Sequence, residues 1–407
     1  MMTGILTLSS CFAQSDYDRY FTDAKLRLDL VFAGNNSSEQ VFLNQLVAED
    51  VWAGTRTQLV DPFGYGEFRF EAYDAASGKK IFTNGFSTLF SEWQTTEESH
   101  RVNKAMNVSL SMPYPKDKVK VRVTRRQFED GSYKEIFNCE IDPADKLIKR
   151  GKANNFEVVD VMINGESKNK VDLLFVAEGY TVDEMDKFMA DVNKFMGYLF
   201  DIEPYKHRKN DFNIRAVKSV SEESGPDFPH KNIWKNTVLN SHFYTFETDR
   251  YLTAPDQTLV SSVASVAPYD AIYVIVNTKT YGGGGIYNYY GLSMSDHHWE
   301  ATVFVHEFGH SFAGLADEYF DSDVAYEDFY NLKLEPWEPN ITTQVNFDAK
   351  WKDMMGKDGV DLWEGGGYMA KGIWRPVDMC KMRVNTVGTF CPVCVRAIEK
   401  MIDYYCK

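Results

Sequence analysis

At 407 residues the chain exceeds one ordinary domain, and two domains are the natural expectation. Hydrophobic residues make up 44% of it and aromatics 14%, enough for packed cores, yet no apolar run reaches the roughly 20 residues that span a bilayer. The net charge of -15 argues against nucleic-acid binding, which needs a Lys/Arg surplus, and fits a soluble, acidic, exported protein.

The first residues, Met1 to Gln14, read as the tail of a signal peptide. Leu8-Ser9-Ser10-Cys11 has the form of a bacterial lipoprotein box, with Cys11 as the acylated residue, and small residues near Ala13 suit ordinary cleavage equally. Residues 1–19 are therefore expected to be a leader. The mature protein would be extracellular, periplasmic or surface-bound, with membrane attachment only through a lipidated Cys11.

Residues 20–150 read as an all-β sandwich domain. Leu26 to Phe32, Gly66 to Tyr73 and Val119 to Val123 alternate with period two, and turn sequences such as Asp61-Pro62-Phe63-Gly64 and Asp130-Gly131 separate them. His100 is the only histidine in the region, which carries no catalytic cluster and is expected to be structural or a docking unit. The charged stretch Asp145 to Asn155 marks the boundary.

From residue 156 to 407 the pattern becomes α/β. Val171 to Ala177 has the apolar density of a strand buried on both faces, and Phe212 to Val217 and Ala271 to Val276 are two more strands. Asp183 to Phe200 is an amphipathic helix with Thr181 near its start. Tyr281 to Gly291 contains four consecutive glycines, read either as a mobile rim leading into an edge strand beside a cleft or as a flexible surface loop. His297-His298 follow as rim or capping residues.

The stretch Val303-Phe304-Val305-His306-Glu307-Phe308-Gly309-His310-Ser311-Phe312 then places two histidines four residues apart, on one face of a predicted helix. Buried imidazoles and a buried carboxylate need partners, and zinc supplies them. His306 and His310 are the candidate ligands, and Glu307, about 100° around the axis, is the candidate base. A catalytic zinc takes three protein ligands. No histidine follows His310, so Asp317 is the preferred third ligand, just past a helix-ending Gly314, with Glu318 as the runner-up or as the residue that orients a ligating imidazole.

The segment His306 to Tyr319, His-Glu-Phe-Gly-His-Ser-Phe-Ala-Gly-Leu-Ala-Asp-Glu-Tyr, resembles the bacterial IgA-cleaving metallopeptidase family of the metzincin group. Metzincins carry H-E-x-x-H-x-x-G-x-x-H and a later Met-turn. Here the Gly and the third ligand both fall one place later, at Gly314 and Asp317. The resemblance implies an α/β, metzincin-like zinc peptidase domain behind a β-rich N-terminal domain. It implies a Met-turn methionine at Met382, or alternatively Met379, as an apolar floor beneath the metal.

Cys380, Cys391, Cys394 and Cys406 cluster near the C-terminus; in an exported protein disulfides stapling this region are the favoured reading, ahead of free thiols or a structural zinc site. The sequence thus predicts a zinc-dependent endopeptidase acting on extracellular protein or peptide substrates, with Tyr319 or Tyr368 near enough to assist the oxyanion. A non-peptidase zinc amide hydrolase and a surface binding protein with a relic site are the alternatives.

Overall fold

The computed structural model describes residues 16–320 and 330–406. The expected leader, including Cys11, therefore lies almost wholly outside the described residues. The N-terminal half runs through helix α1 (Asp16–Tyr20), strands β1 (Phe21–Asn35), β2 (Ser38–Glu49), β3 (Phe68–Asp74) and β4 (Lys80–Phe86), helix α2 (Leu89–Trp93), and strands β5 (Lys104–Pro115), β6 (Val119–Arg126) and β7 (Tyr133–Ile141). These strands form two antiparallel sheets, ordered β2-β1-β5 and β4-β3-β6-β7. Period-two alternation decides what faces inward. Leu26, Leu28, Leu30 and Phe32 of β1 are fully buried, and Phe32 meets Phe68 of β3 edge-on at 5.5 Å.

The C-terminal half is built on β8 (Glu157–Met162), β9 (Val171–Glu178), helix α3 (Met185–Phe200), β10 (Phe212–Lys218), helix α4 (Gln257–Ala264), β11 (Ala271–Val276), β12 (Gly283–Ile286), β13 (Tyr290–Met294), helix α5 (Glu300–Ala313), the hairpin β14 (Trp363–Gly366) and β15 (Met369–Arg375), and helix α6 (Pro392–Cys406). Six strands make one sheet in the order β12-β13-β11-β9-β10-β8, parallel at its centre and antiparallel at both edges. The chain is thus a mixed α/β protein with several sheets. Central β9 is buried along its whole length, and its middle, Leu173 to Ala177, is accordingly an unbroken apolar run. A capping box between Thr181 and Glu184 opens the turn that leads into α3.

The two faces of this sheet belong to different cores. Leu173, Phe175 and Ile214 pack with α3, α5 and α6. Leu174, Val176 and Val274 join α4 and the N-terminal strands in a second, continuous core. The outward face of β1 is buried in turn, because α4 lies against it: Arg27, only 2% exposed, donates to Asp29 (2.8 Å), Glu49 (2.7 Å) and Ser262 of α4 (3.0 Å). Alternation along β1 therefore separates an apolar face from a buried ionic one, and that ionic face fixes the two halves to each other.

Candidate metal centre

Helix α5 is apolar on nearly all sides because it is buried on nearly all sides. Phe304 meets Tyr273 edge-on at 4.6 Å and Phe195 at 4.9 Å, and Phe308 stacks on Phe312 at 5.0 Å. Its N-terminal Glu300 pairs with Lys194 of α3 at 2.9 Å. His297 accepts from the Trp299 N–H at 3.2 Å, and neither it nor His298 belongs to the donor group or lines the cleft described below.

The helix stops at Gly314, whose φ of 63° is left-handed. Gly314 N–H donates to His310 O (3.0 Å) and Leu315 N–H to Gly309 O (3.2 Å), so carbonyls of the last turn stay satisfied as the chain reverses. A Cβ on Gly314 would also lie 3.0 Å from the Trp337 ring. This reversal returns Asp317 to the helix face that carries the histidines.

Three donor atoms converge there. His306 Nε2 lies 3.0 Å from His310 Nε2 and 2.9 Å from Asp317 Oδ1, and His310 Nε2 lies 3.2 Å from the same oxygen. The other ring nitrogens are committed: His306 Nδ1 sits 3.2 Å from Lys381 O and His310 Nδ1 2.5 Å from Leu315 O. Each Nδ1 must carry a hydrogen to donate, which leaves lone pairs on both Nε2 atoms. Two lone pairs and a carboxylate facing one point repel unless positive charge lies between them. Burial opposes the charged form of His310, but the Asp317 carboxylate outweighs it and raises the imidazole to about 9. Asp317, despite burial, is held well below the usual carboxylate range by the same imidazoles. A divalent cation fits the position equally well. Tetrahedral zinc with bonds of about 2.0–2.1 Å spaces its donors about 3.3 Å apart, close to the triangle observed.

Around the triangle, the Tyr368 hydroxyl donates to Asp317 Oδ2, and the Tyr319 ring stacks on His306 at 6.2 Å. The Tyr368 hydroxyl expected near an oxyanion is thus turned toward the Asp317 carboxylate. Glu307 stands in the cleft wall, half-buried, and burial pushes its carboxyl above the usual range. Met382 is fully buried, and a Cβ on Gly309 would lie 3.0 Å from its Sδ, so the methionine packs beneath α5; Met379 is 50% exposed at the surface.

The glycines of β12 acquire a reason. A Cβ on Gly285 would sit 2.2 Å from Glu307 O, and one on Gly283 would sit 2.7 Å from Val303. Only bare backbone lets this strand lie so close on α5. The stretch is an ordered edge strand, paired antiparallel to β13 and bridged to Tyr251 at Gly283.

The cleft over the donors holds about 830 Å³. One wall comes from the C-terminal half, with β12, Tyr281 and Tyr319; the opposite wall includes Glu67, Glu92, Arg125 and Arg126 of the N-terminal half. Ser87 N–H to Tyr287 O (3.0 Å), Tyr251 hydroxyl to Glu92 (2.6 Å) and Arg126 to Glu335 O (2.7 Å) hold that wall in place. Sequence reasoning missed this contribution because single Glu and Arg residues at a strand end, in a short helix and before a strand carry no motif.

Glu318 is not part of the triangle. Its carboxylate turns the other way, accepting from Asn340 Nδ2 at 3.0 Å and lying 3.3 Å from Cys394 Sγ, and burial pushes it well above the usual range. The expected disulfides are not formed either: among the described residues Cys139, Cys380, Cys391, Cys394 and Cys406 are free thiols. Cys406 faces Asp211 O at 3.6 Å, apart from the other three, which gather around Glu318.

Comparison with known families accounts for most of the chain. Residues 159–360 match the model described as IgA Peptidase M64, and residues 16–138 match that described as Peptidase M64 N-terminus. No curated protein matches the sequence.

Proposed function

Since the chain belongs to the IgA peptidase M64 family, a peptidase family, we propose that it is a zinc-dependent endopeptidase cleaving extracellular protein or peptide substrates. The observation that carries this reading is the convergence of His306 Nε2, His310 Nε2 and Asp317 Oδ1, beside Glu307, on the floor of a cleft walled by both halves of the chain.

His306, His310 and Asp317 would hold the zinc, whose Lewis acidity, when bound, activates water and polarises a carbonyl. The carbonyls of Lys381 and Leu315 fix both imidazoles with Nε2 inward, and Tyr368 fixes the carboxylate. Glu307 receives the proton of the attacking water on its carboxylate and returns it to the leaving amine; its raised affinity for protons suits both transfers. Met382 supplies the apolar packing under the helix in the manner of a Met-turn. An extended substrate would lie along β12, whose glycines offer backbone groups without side-chain obstruction. An open cleft of about 830 Å³ suits a polypeptide better than a small amide.

Export, with or without acylation at Cys11, is proposed from Met1 to Gln14 and the acidic composition. Labelling of the expressed protein with a fatty-acid probe, lost in Cys11→Ser, would establish anchoring; an unlabelled protein retained in the cytoplasm would refute it. For the activity, casein and a peptide library are compared with acetylated small amides. Cleavage of the first two that requires stoichiometric zinc and disappears in Glu307→Gln supports the assignment. A Glu307→Gln protein that still cuts peptides would refute the base.

A further inference from the structure

A second group of metal-binding side chains lies behind the first. Glu318, Cys380, Cys391 and Cys394 are all buried, and one ligand atom from each lies within 4.8 Å of every other. Cys380 Sγ and Cys394 Sγ are 3.8 Å apart, and Cys394 Sγ is 3.3 Å from Glu318 Oε1. Zinc–sulfur bonds of about 2.3 Å in a tetrahedron place sulfurs about 3.8 Å apart, and sulfur and oxygen about 3.5 Å apart. A disulfide needs the two sulfurs at about 2.05 Å.

The surroundings are those of thiolates rather than of buried thiols. Cys391 N–H donates to Cys380 Sγ at 3.3 Å and Cys394 N–H to Cys391 Sγ at 3.4 Å. Cys391 immediately precedes α6 and Cys394 lies in its first turn, where the helix N-terminus favours negative charge. The second oxygen, Glu318 Oε2, is buried with no hydrogen-bond partner, and no ion pair reaches Glu318 among the described residues. A fully buried carboxylate among three sulfurs is costly unless a cation joins it.

We propose that Cys380, Cys391, Cys394 and Glu318 form a second, structural zinc site. The three-sulfur, one-oxygen donor set selects zinc over calcium, magnesium or manganese, and four protein ligands leave no position for substrate. Its place gives it a purpose. Glu318 follows the catalytic ligand Asp317, and Cys380 precedes Lys381, whose carbonyl orients His306. Glu318 N–H donates to Met382 O at 2.8 Å, so these two segments already touch. An ion here clamps to one another, and to the start of α6, the chain segments that position two of the three catalytic ligands.

The test separates this site from the first. Full-length protein purified under reducing, anaerobic conditions should carry about two zinc ions per chain by mass spectrometry. His306→Ala/His310→Ala should retain about one. Cobalt-loaded His306→Ala/His310→Ala should show the intense near-ultraviolet sulfur-to-metal absorption that histidine and carboxylate ligands cannot produce. Cys391→Ser/Cys394→Ser should lose that absorption and one ion; should this variant fail to fold, the cobalt spectrum of the double-histidine variant decides alone. A double-histidine variant that takes up no stoichiometric ion and shows no such absorption would overturn the proposal. So would a Cys380–Cys394 disulfide found in the anaerobic protein by non-reducing peptide mapping. Failure of the catalytic reading alone would instead leave the sulfur absorption intact and remove only the other ion.

Discussion

Two buried polar clusters in this protein resolve the same problem differently. At the junction of the two halves, Lys25 and Arg27 meet Asp29 and Glu49, with Lys25–Glu49 at 2.6 Å and Arg27–Asp29 at 2.8 Å. Burial works against the charge on Lys25, yet Glu49 outweighs it and raises the amine. Every charge there finds its opposite within the chain. Behind and beneath the cleft, His306, His310, Asp317, Glu318 and three cysteines offer donor atoms that no Lys or Arg side chain joins in an ion pair, among the described residues. The first cluster is a closed ionic set; the second is the set of donor atoms proposed above to hold zinc.

That difference makes distinct predictions. Replacing Glu307 with Gln leaves the donors in place and removes the proton carrier, so turnover should fall by about 10²- to 10⁴-fold with zinc content unchanged, measured on a fluorogenic peptide and by metal analysis. Arg27→Met leaves Asp29 and Glu49 short of a partner and should cost about 3–5 kcal/mol in denaturant unfolding, whatever the zinc concentration. Zinc should do for the second cluster what Arg27 does for the first. Raising free zinc to 100 times its Kd should stabilise the wild type by about 2.7 kcal/mol over chelated protein, and a zinc-independent unfolding curve would remove the contrast. Tyr368→Phe deletes the hydroxyl that holds Asp317 and should weaken zinc binding or activity about 10- to 100-fold, read by competition with a chromophoric chelator. Gly314→Ala forces a side chain into left-handed backbone against Trp337 and should cost about 1–2 kcal/mol, with a smaller loss of zinc affinity as Asp317 shifts.

What the sequence disclosed follows the same division. The helix, both imidazoles and the returning acid were legible, because i,i+4 spacing and a glycine ending are local patterns. Strand β9 was legible because burial on both faces leaves the apolar run Leu173 to Ala177 at its centre. The ionic face of β1 was not, since Lys25, Arg27 and Asp29 alternate just as solvent-facing residues do; α4, more than 200 residues later, covers them. Glu318 read as a spare ligand because its thiol neighbours lie more than 60 residues further on. The glycines at 282–285 suggested looseness, whereas Gly283 and Gly285 lie too close to α5, and Gly282 and Gly284 too close to Phe243 and Tyr251, to carry side chains.

The arginine and glutamate wall contributed by the N-terminal half divides the labour within the cleft. The donor triangle and Glu307 come wholly from the C-terminal half, while Glu67, Glu92, Arg125 and Arg126 face the same cleft from the other. Because the two halves share one continuous core, the second bank of the groove cannot be cut away without laying that core open to water. Exchange of single side chains on that bank is therefore the route by which the selection of polypeptides could be retuned with the donors untouched.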